Sequence, residues 1–298
     1  HTFSIVARDS VTGDIGVAVQ SHWFSVGSTV TYAKAGVGVV ATQSLVNPSY
    51  GPKGLALMKQ GLSPQQALDV LIENDSGEMY RQVAFLNIKG EVATHTGSLC
   101  IAEAGHRQGK NFSVQANMML NNTVWDAMAT AFETTNGSLS ERILAALKAA
   151  QNEKGDIRGK QSAAILIVRG EATGNAWEDT IMDLRVEDNP NPIQELERLI
   201  KIHKAYDFMN KGDLAMEDGN SKKAEQLYLE AQNLFPENIE MKYWYAINLL
   251  NNKDFEKAKP ILKSIFKADR NWQILTKRLV KSKLLIITEA ELDVIMKL

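Results

Sequence analysis

The chain has 298 residues, 44% of them hydrophobic and 23% charged, and its 33 basic and 35 acidic side chains give a net charge of -2. This composition is typical of soluble globular proteins, at a length that suits two domains. The balanced charge gives no electrostatic basis for a nucleic-acid or membrane partner, and no apolar stretch approaches the roughly 18 residues of a membrane-spanning helix.

Cysteine content and the first residue bear on the chemistry and the compartment. The single cysteine, Cys100, excludes an internal disulfide and a thiolate-rich zinc site, and a small buried side chain is favoured over a catalytic thiol. The sequence begins with His1 and not with Met, which indicates that a signal peptide or an expression tag has been removed. The compartment stays open, with an extracytoplasmic location favoured over a cytoplasmic one.

The first elements of the chain are predicted to be strands. Residues 2–9 and 15–21 are short β-rich runs, and the Thr-Gly-Asp between them indicates a hairpin turn. Residues 36–43 predict a third, buried strand. A loop rich in turn residues then leads to a predicted helix over 54–60, and Ser63 followed by Pro predicts the N-cap of a second helix.

The middle of the chain alternates strands with helices. Residues 81–88 and 92–96 predict a second hairpin around a Lys-Gly turn, and a loop is predicted over 105–109. The nearly all-aliphatic strand over 162–169 should lie inside a sheet that is covered on both faces. The remaining predicted elements are a strand over 112–116 and helices over 124–133 and 139–150. This succession predicts a layered α/β sandwich.

A change of composition predicts a second, helical domain. The Pro-rich pentad 188–192 is the predicted boundary between domains over 1–189 and 193–298. Ala258 follows Ala224 by 258 − 224 = 34 residues, which is the period of a tetratricopeptide repeat. The other characteristic positions of the repeat hold Gly212, Tyr228, Ala231 and Pro236. We predict a tetratricopeptide-like all-α domain, with a plain helical appendage as the alternative.

An aromatic run in the second domain indicates a contact surface. Tyr243, Trp244 and Tyr245 are consecutive, so a single helix face cannot bury all three. One of them is expected to be exposed in a groove, where aromatic side chains favour partner contacts. The helical domain is therefore expected to bind a protein partner, and a short repeat array would also gain stability from another copy in a homo-oligomer.

Thr2, on the first residue of a predicted strand, suits the mechanism of an N-terminal nucleophile. In that mechanism one residue supplies both nucleophile and base. A free α-amine has a pKa near roughly 7.7 to 8, so it can accept the proton of its own hydroxyl. Many other domains also begin with a strand, and Thr is common in strands, so this position alone does not establish the mechanism.

The chain resembles a known family in a series of sequence blocks. These are HTFSIVARDSVTGDIGVAVQS, AGVGVVATQSLVNPSYGPKGL, ATHTGSLC, AGHRQGKNFSVQANMM, GKQSAAILIV and DLRVEDNPNP. Over about residues 2–195 the blocks are similar to those of a bacterial family called domain of unknown function 1028, which is assigned to the N-terminal-nucleophile (Ntn) hydrolases. The resemblance implies an α+β fold, a four-layer α-β-β-α sandwich, ahead of the helical domain.

The start of the chain departs from that family's pattern. Members usually begin Met-Thr-Phe-Ser, so that removal of Met exposes the Thr, whereas here His1 precedes Thr2. If His1 is retained, Thr2 has no free amine and the self-activating mechanism fails. If His1 is a remnant of processing or cloning, the departure is only apparent.

Amide side chains in the matching blocks are the candidates for the rest of a catalytic site. A sandwich of this type opens its pocket at the strand end that bears the first residue. Gln43, Asn47 and Asn117 are predicted to act with Thr2, because their amides could donate hydrogen bonds to an oxyanion. Hydrogen bonding within the loop is the alternative for Gln43 and Asn47.

Further polar residues are predicted to contact substrate. Ser21, at the end of the second strand, is expected either to hydrogen-bond to Thr2 or to cap a turn. His95 and His106 could orient substrate or transfer protons, with a structural role as the alternative for each. Gln115 lies two residues before Asn117. The predicted substrate-binding residues are Ser21, His95, His106 and Gln115.

Metal and nucleotide motifs are missing from the sequence. The histidines lack a metal-ligand spacing such as His-x-x-x-His, and the glycines form neither a P-loop nor a strand-linked dinucleotide motif. We therefore predict no metal and no cofactor. Asp183 and Arg185 alternate on a predicted strand and are expected to form a structural salt bridge.

The resulting hypothesis is an Ntn-type amidohydrolase that cleaves an amide in a small-molecule or short-peptide substrate. Thr2 would attack, and water would clear the acyl-enzyme. One alternative is a catalytically silent Ntn-like fold that binds a ligand or a protein, because a fold does not entail a function. Another is an enzyme of the same fold that uses Cys100 or Ser21.

Overall fold

Two compact units make up the protein, each with its own apolar core. The computed structural model describes residues 2–298. One unit ends at Leu199, and the other covers Ile200–Leu298. The predicted Pro-rich boundary, residues 188–192, lies between the last strand of the first unit and the helix that begins at Pro192, ahead of the end of that unit at Leu199.

The strands of the first unit pair into two antiparallel sheets. They are β1 (Thr2–Arg8), β2 (Ile15–Ser21), β3 (Thr31–Lys34), β4 (Gly38–Ser44), β5 (Arg81–Asn87), β6 (Val92–Thr96), β7 (Gly105–Gly109), β8 (Phe112–Asn117), β9 (Ser162–Val168) and β10 (Thr180–Val186). The larger sheet has the order β10-β9-β2-β1-β8-β7, and the smaller has the order β3-β4-β5-β6. The hairpin at the start of the chain thus lies in the middle of the larger sheet.

Helices cover the outer faces of both sheets. The covering helices are α2 (Tyr50–Lys59), α3 (Pro64–Glu73), α4 (Val124–Thr134) and α5 (Leu139–Asn152), whereas Val30 of the short α1 (Gly27–Val30) belongs to the apolar cluster between the sheets. Helices α2 and α3 pack on the smaller sheet, and α4 and α5 pack on the larger one. Because the inner faces of the sheets pack against each other, the layers run helix, sheet, sheet, helix. The predicted four-layer α-β-β-α sandwich is confirmed.

Local sequence signals explain several of these elements. Ser63 accepts a hydrogen bond from the main-chain N–H of Gln66, and the Gln66 side chain accepts one from Ser63 N–H, so this reciprocal cap starts α3. The aliphatic strand β9 lies inside the larger sheet, between β10 and β2. On β10, Arg185 Nε lies 3.2 Å from Asp183 Oδ1, which is the predicted salt bridge.

Some short elements differ from the sequence-based predictions. Residues 105–109, predicted as a loop, form the edge strand β7, which pairs with β8. This segment, GHRQG, is polar and bounded by glycines, so no alternation of apolar side chains marks it. The elements α1 and β3 have four residues each, too short to show a period in the sequence, and they were not predicted.

The space between the two sheets has an apolar part and a polar part. The apolar part contains Val6, Val17, Val19, Val39, Ala41 and Leu86, all fully buried. Towards the end of the sandwich that bears Thr2, the inward positions instead hold Ser4, Gln43, Gln82, Ser113, Gln115 and Asn117, which are also buried. Buried polar groups are costly unless they are hydrogen-bonded, so this part of the interior must form a connected network.

The second unit is helical. The remaining helices of the chain are α6 (Pro192–Glu217), α7 (Ser221–Leu234), α8 (Ile239–Asn251), α9 (Phe255–Ala268), α10 (Asn271–Lys281) and α11 (Glu289–Met296). Ala224, Ala231 and Ala258 are fully buried, as close packing of paired helices requires. Within residues 2–298, every helix falls short of the length and apolar character needed to cross a bilayer.

The aromatic run of the second unit is only partly buried. Tyr243 is fully buried and donates or accepts a hydrogen bond with Thr276 Oγ1 at 3.0 Å, whereas Trp244 and Tyr245 are half-buried. Trp244 lines a groove of about 480 Å³ together with Tyr228 and other residues of this unit. Trp244 is therefore the member of the run that lines a groove, where it is half-buried and not exposed as predicted.

We expect Gly212→Ala to destabilise the helical unit although alanine favours helices. A Cβ at position 212 would lie 2.5 Å from the ring of Tyr228, which is buried and whose hydroxyl donates to Asp213 Oδ1. Such overpacking costs about 1–3 kcal/mol, against about 1 kcal/mol gained in helix propensity. The free energy of unfolding, measured by urea unfolding followed by circular dichroism, shows which of the two effects is larger.

Asn210→Ala is the matched control, because Asn210 is exposed on the same helix and gains the same kind of propensity. We expect this variant to be as stable as the wild type or slightly more stable. A Gly212→Ala protein more stable than the wild type would contradict the packing of Tyr228 on position 212.

Candidate active site

Thr2 begins the central strand β1 and lines a cavity of about 360 Å³. Its side chain is buried, and its hydroxyl donates a hydrogen bond of 3.1 Å to Ser21 Oγ. The described residues that line the cavity are Thr2, Ser21, Trp23, Val26, Thr29, Val30, Gln43, Ser44, Leu45, Val46 and Arg158. The prediction about His1 concerns a position outside the described residues.

Strand pairing brings two of the predicted site residues to Thr2. Thr2 lies opposite Ser21 on β2 and opposite Asn117 on β8. Side chains at directly opposed positions of antiparallel strands point to the same face of the sheet. The register of β1 with its two neighbours therefore places Ser21, Thr2 and Asn117 side by side at one end of the sandwich.

Gln43 reaches Thr2 from the other sheet. Its Nε2 donates to the main-chain oxygen of Thr2 at 3.3 Å, to Gln82 Oε1 at 2.7 Å and to the main-chain oxygen of Gln115 at 3.4 Å. Asn117 Nδ2 donates to the same Thr2 oxygen at 3.5 Å and to Gln82 Oε1 at 2.9 Å. Two amides from opposite sheets thus hold the Thr2 carbonyl.

Gln82, which the sequence analysis missed, orients both of these amides. It lies directly opposite Gln43 in the pairing of β4 with β5. Its Nε2 donates to two main-chain oxygens, of Ala116 at 2.9 Å and of Gly105 at 3.2 Å, and to Thr96 Oγ1 at 2.9 Å. These acceptors fix the nitrogen, so the oxygen must face Gln43 and Asn117. A glutamine at an inward position of a buried strand is the sequence signal that could have identified it.

Gln115 belongs to the network and does not line the cavity. Its Nε2 donates to Ser4 Oγ at 2.6 Å, and its Oε1 accepts from Ser113 Oγ at 3.1 Å. Ser113 Oγ in turn lies 2.7 Å from Thr94 Oγ1 on the other sheet. The side chain of Gln115 therefore joins the sheets behind Thr2, and its predicted contact with substrate stays a prediction.

Asn47 lies in a different cluster, around Asp75. Its Nδ2 donates to Asp75 Oδ2 at 3.4 Å, and its Oδ1 accepts from the main-chain N–H of Ser49. Asp75 also accepts from Arg81 Nε at 2.9 Å and from the Tyr50 hydroxyl at 3.1 Å. The Asn47 side chain thus hydrogen-bonds to Asp75 and to Ser49 of its own loop, and the structure does not bring it to Thr2.

This Asp75 cluster supports one wall of the cavity. Arg81 Nη1 donates to the main-chain oxygen of Leu45, a residue that lines the cavity. The hydrogen bond from Arg81 holds the pKa of the Asp75 carboxyl well below its usual range. Burial, and then the Asp75 charge, raises the pKa of the Tyr50 hydroxyl. Asp75 is therefore ionised and Tyr50 protonated across the physiological range.

The two predicted histidines lie at the margin of the network. His95 Nε2 is 3.0 Å from Glu78 Oε2, which makes His95 part of a surface pair. His106 Nδ1 is 2.9 Å from Thr96 Oγ1, the hydroxyl that accepts from Gln82. Desolvation, with a smaller effect of His95, lowers the pKa of His106, which favours the neutral ring. Neither histidine is among the residues that line the cavity.

Cys100 lies in an environment that favours the protonated thiol. Its Sγ donates to the main-chain oxygen of Arg81 at 3.3 Å, and burial raises the pKa of the thiol. Since the thiolate is the reactive form of cysteine, this environment makes Cys100 a weak nucleophile at neutral pH.

Arg158 and its partner Asp156 are further residues that the sequence analysis missed. Arg158 Nη2 lies 2.7 Å from Asp156 Oδ2, and its Nε lies 3.1 Å from Asp156 Oδ1. Asp156 also accepts from the main-chain N–H of His22 at 3.1 Å, which ties the loop to the end of β2.

Within residues 2–298, no group of three or more His, Cys, Asp or Glu side chains has the arrangement of metal ligands.

Comparison with known proteins gives matches to both units. A family model described as "Family of unknown function (DUF1028)" matches residues 2–196, and a tetratricopeptide-repeat model matches residues 215–279. No curated protein matches the chain.

Two solved structures are similar to the N-terminal part. The crystal structure of protein SPO2555 from Silicibacter pomeroyi, which carries the DUF1028 family model, has 32% sequence identity and a TM-score of 0.61, and the match covers 67% of this chain and 88% of that chain. Anbu (ancestral beta-subunit) from Yersinia bercovieri has 12% identity and a TM-score of 0.34, over 67% of this chain and 96% of that chain.

We expect Asp75→Asn to lower the free energy of unfolding by about 2 kcal/mol at pH 7, because Arg81 loses a charged acceptor. The folded-state pKa of Asp75 is depressed, so its contribution is present above the unfolded pKa of about 3.9 and is lost as pH falls through the folded value. The difference between wild type and variant should therefore shrink below about pH 4. Denaturant unfolding at a series of pH values measures it.

Asp69→Asn is the control for this prediction, since it removes the same charge from an exposed position on α3. Its free energy of unfolding should stay within about 0.5 kcal/mol of the wild type. A constant difference for Asp75→Asn from pH 7 to pH 2 would show that the ionised carboxylate is not the source of the stability.

Proposed function

The chain belongs to the DUF1028 family, and we propose that its N-terminal domain is an Ntn-type amidohydrolase with Thr2 as the nucleophile. The observation that carries the proposal is the position of Thr2. Its hydroxyl lines a cavity at the end of the central strand, beside Ser21 Oγ, while its carbonyl is held by amides from both sheets. A nucleophile needs this combination of a fixed backbone and access to a pocket.

The proposed reaction starts from a chain in which Thr2 is the first residue. The Thr2 hydroxyl attacks the carbonyl carbon of the substrate amide, and its proton passes to the α-amine of the same residue. When the C–N bond breaks, that proton goes to the leaving nitrogen, and the acyl group stays on Thr2 as an ester. Water then attacks the ester and gives a proton to the α-amine, which passes it to Thr2 Oγ as the ester C–O bond breaks and the carboxylic acid is released. A residue retained before Thr2 would remove the base.

The amides around Thr2 act in this proposal first as positioning groups. Gln43 and Asn117 already donate to Thr2 and Gln82, so either can stabilise an oxyanion only by giving up one of those bonds. The contact of Asn117 Nδ2 with the Thr2 oxygen, at 3.5 Å, is the longest and therefore the easiest to exchange. We accordingly assign the oxyanion role to Asn117 before Gln43.

The second unit is assigned a contact role. Tetratricopeptide-like repeats generally mediate protein–protein interaction, and the groove beside Trp244 offers an aromatic surface of the kind that partners use. We propose that this unit binds a protein partner or another copy of the chain, whereas the substrate is a small molecule or a short peptide bound in the first unit.

We expect a small β-lactone, an electrophile that acylates activated hydroxyl groups, to label Thr2. The experiment compares the full chain beginning at Thr2 with the His1-bearing chain and with Thr2→Ser and Thr2→Ala variants. Intact mass should show one added acyl group on the chain beginning at Thr2 and on its Thr2→Ser variant, and none on the Thr2→Ala variant. Loss of the free amine should slow labelling of the His1-bearing chain by about 100-fold or more.

Two further variants test the alternatives. Labelling should persist in Ser21→Ala and in Cys100→Ala. Loss of labelling in either variant would identify the substituted residue as the nucleophile. If the chain that begins at Thr2 acquires no label, the domain is a binding module and not a hydrolase. N-terminal sequencing of the protein from its native host shows which residue is first in the mature chain.

A further inference from the structure

The walls of the Thr2 cavity are mainly apolar. The apolar lining residues are Val26 and Val30 of the α1 region, together with Trp23, Leu45 and Val46. Two of these side chains are well exposed, Trp23 at 60% and Leu45 at 50%, so apolar surface continues to solvent. A volume of about 360 Å³ suits a small ligand, and such walls favour one with an apolar group.

One of the residues that line the cavity, Gln43, has a buried side-chain oxygen without a hydrogen-bond partner. The Nε2 of Gln43 faces three oxygens, so rotating its amide would set Oε1 against the same three acceptors. The orientation is therefore fixed, and it leaves Gln43 Oε1 buried without a hydrogen bond. An unsatisfied buried carbonyl costs free energy that a donor from a ligand would recover. A ligand N–H or O–H group that reached this oxygen would give it the hydrogen bond that it lacks.

The charge that lines the cavity is positive. Of the described residues in its wall, Arg158 alone has a charged side chain. Asp156, which orients the guanidinium, is fully buried behind it, whereas the Arg158 side chain keeps 26% of its surface exposed. A ligand in the cavity therefore meets the cation and not the carboxylate, and Arg is well suited to recognise a carboxylate group.

These three features together define a ligand class, and we propose that the cavity binds N-acyl amino acids with an aliphatic acyl chain. The acyl chain packs on Val26, Val30 and Leu45, the amide N–H donates to Gln43 Oε1, and the carboxylate faces Arg158. This inference names the substrate class of the site and rests on the proposed function, because the amide so placed is the bond that Thr2 would cleave. Binding itself does not depend on cleavage, and the two can be tested separately.

Three related compounds test the inference without changing the protein. N-hexanoylglycine has all three groups, its methyl ester lacks the charge, and N-hexanoylsarcosine lacks the N–H because its nitrogen is methylated. Their binding to the full chain beginning at position 2 and carrying Thr2→Ala is measured by isothermal titration calorimetry. We expect N-hexanoylglycine to bind about tenfold more tightly than either of the others.

A double variant tests the assignment of the carboxylate to Arg158. Asp156→Asn with Arg158→Gln replaces the ion pair by two neutral side chains of similar size, so no lone charge is left buried. In this protein N-hexanoylglycine and its methyl ester should bind equally, while the preference over N-hexanoylsarcosine should remain. Circular dichroism checks that the double variant is folded, and the three-ligand comparison does not depend on it.

The outcomes separate this inference from the proposed reaction. Equal binding of the three compounds, or no binding of any at millimolar concentration, overturns the ligand class. If N-hexanoylglycine binds with the expected preferences but the chain with an intact Thr2 does not release glycine from it, the ligand class stands and the hydrolase proposal fails. Release of glycine from the acid and of glycine methyl ester from the methyl ester at equal kcat/KM would support the hydrolase and overturn the role of Arg158.

Discussion

The site at the end of the first unit depends on one buried carboxamide, that of Gln82. Its nitrogen is directed at main-chain oxygens of Ala116 and Gly105, and this fixes its oxygen toward Gln43 and Asn117. Each of those amides must then present its nitrogen to the Thr2 carbonyl. Rotating a side-chain amide by half a turn exchanges its oxygen and its nitrogen. Here such a rotation of Gln82, Gln43 or Asn117 would place an oxygen against another oxygen, and unpaired polar groups cost free energy in a protein interior. The network therefore has one arrangement.

The same network explains why the sandwich is polar at one end and aliphatic at the other. Valines and alanines between the sheets supply the burial that holds the layers together, and they need no particular orientation. Glutamine, asparagine and serine at the other end form hydrogen bonds only in one register of the two sheets. The aliphatic part thus provides most of the cohesion, while the polar part determines where Thr2 lies relative to the cavity.

Sequence reasoning located the features that depend on local pattern. The strands carrying Thr2, Ser21 and Asn117 were visible from composition and from the family blocks, and pairing then placed these residues together. Gln82 was missed because its role comes from standing opposite Gln43, a register that no local signal encodes. Asn47 is only four residues from Gln43, but Ser44 between them has a positive φ of 74°, and beyond it the chain joins the Asp75 cluster. Arg158 lies more than 100 residues from its neighbours in the cavity wall, in a loop without a recognisable motif.

The protein holds residue 2 by its main-chain carbonyl, a group that every amino acid possesses. Of the hydrogen bonds described at residue 2, the side chain makes the one to Ser21, whereas Gln43 and Asn117 donate to the main-chain oxygen. The scaffold around residue 2 therefore depends little on which amino acid stands there. A lineage with this architecture can exchange threonine for serine, or lose the hydroxyl altogether, and keep the same folded cavity. If Thr2 is the nucleophile that we propose, one codon separates a catalyst from a receptor built on the same framework.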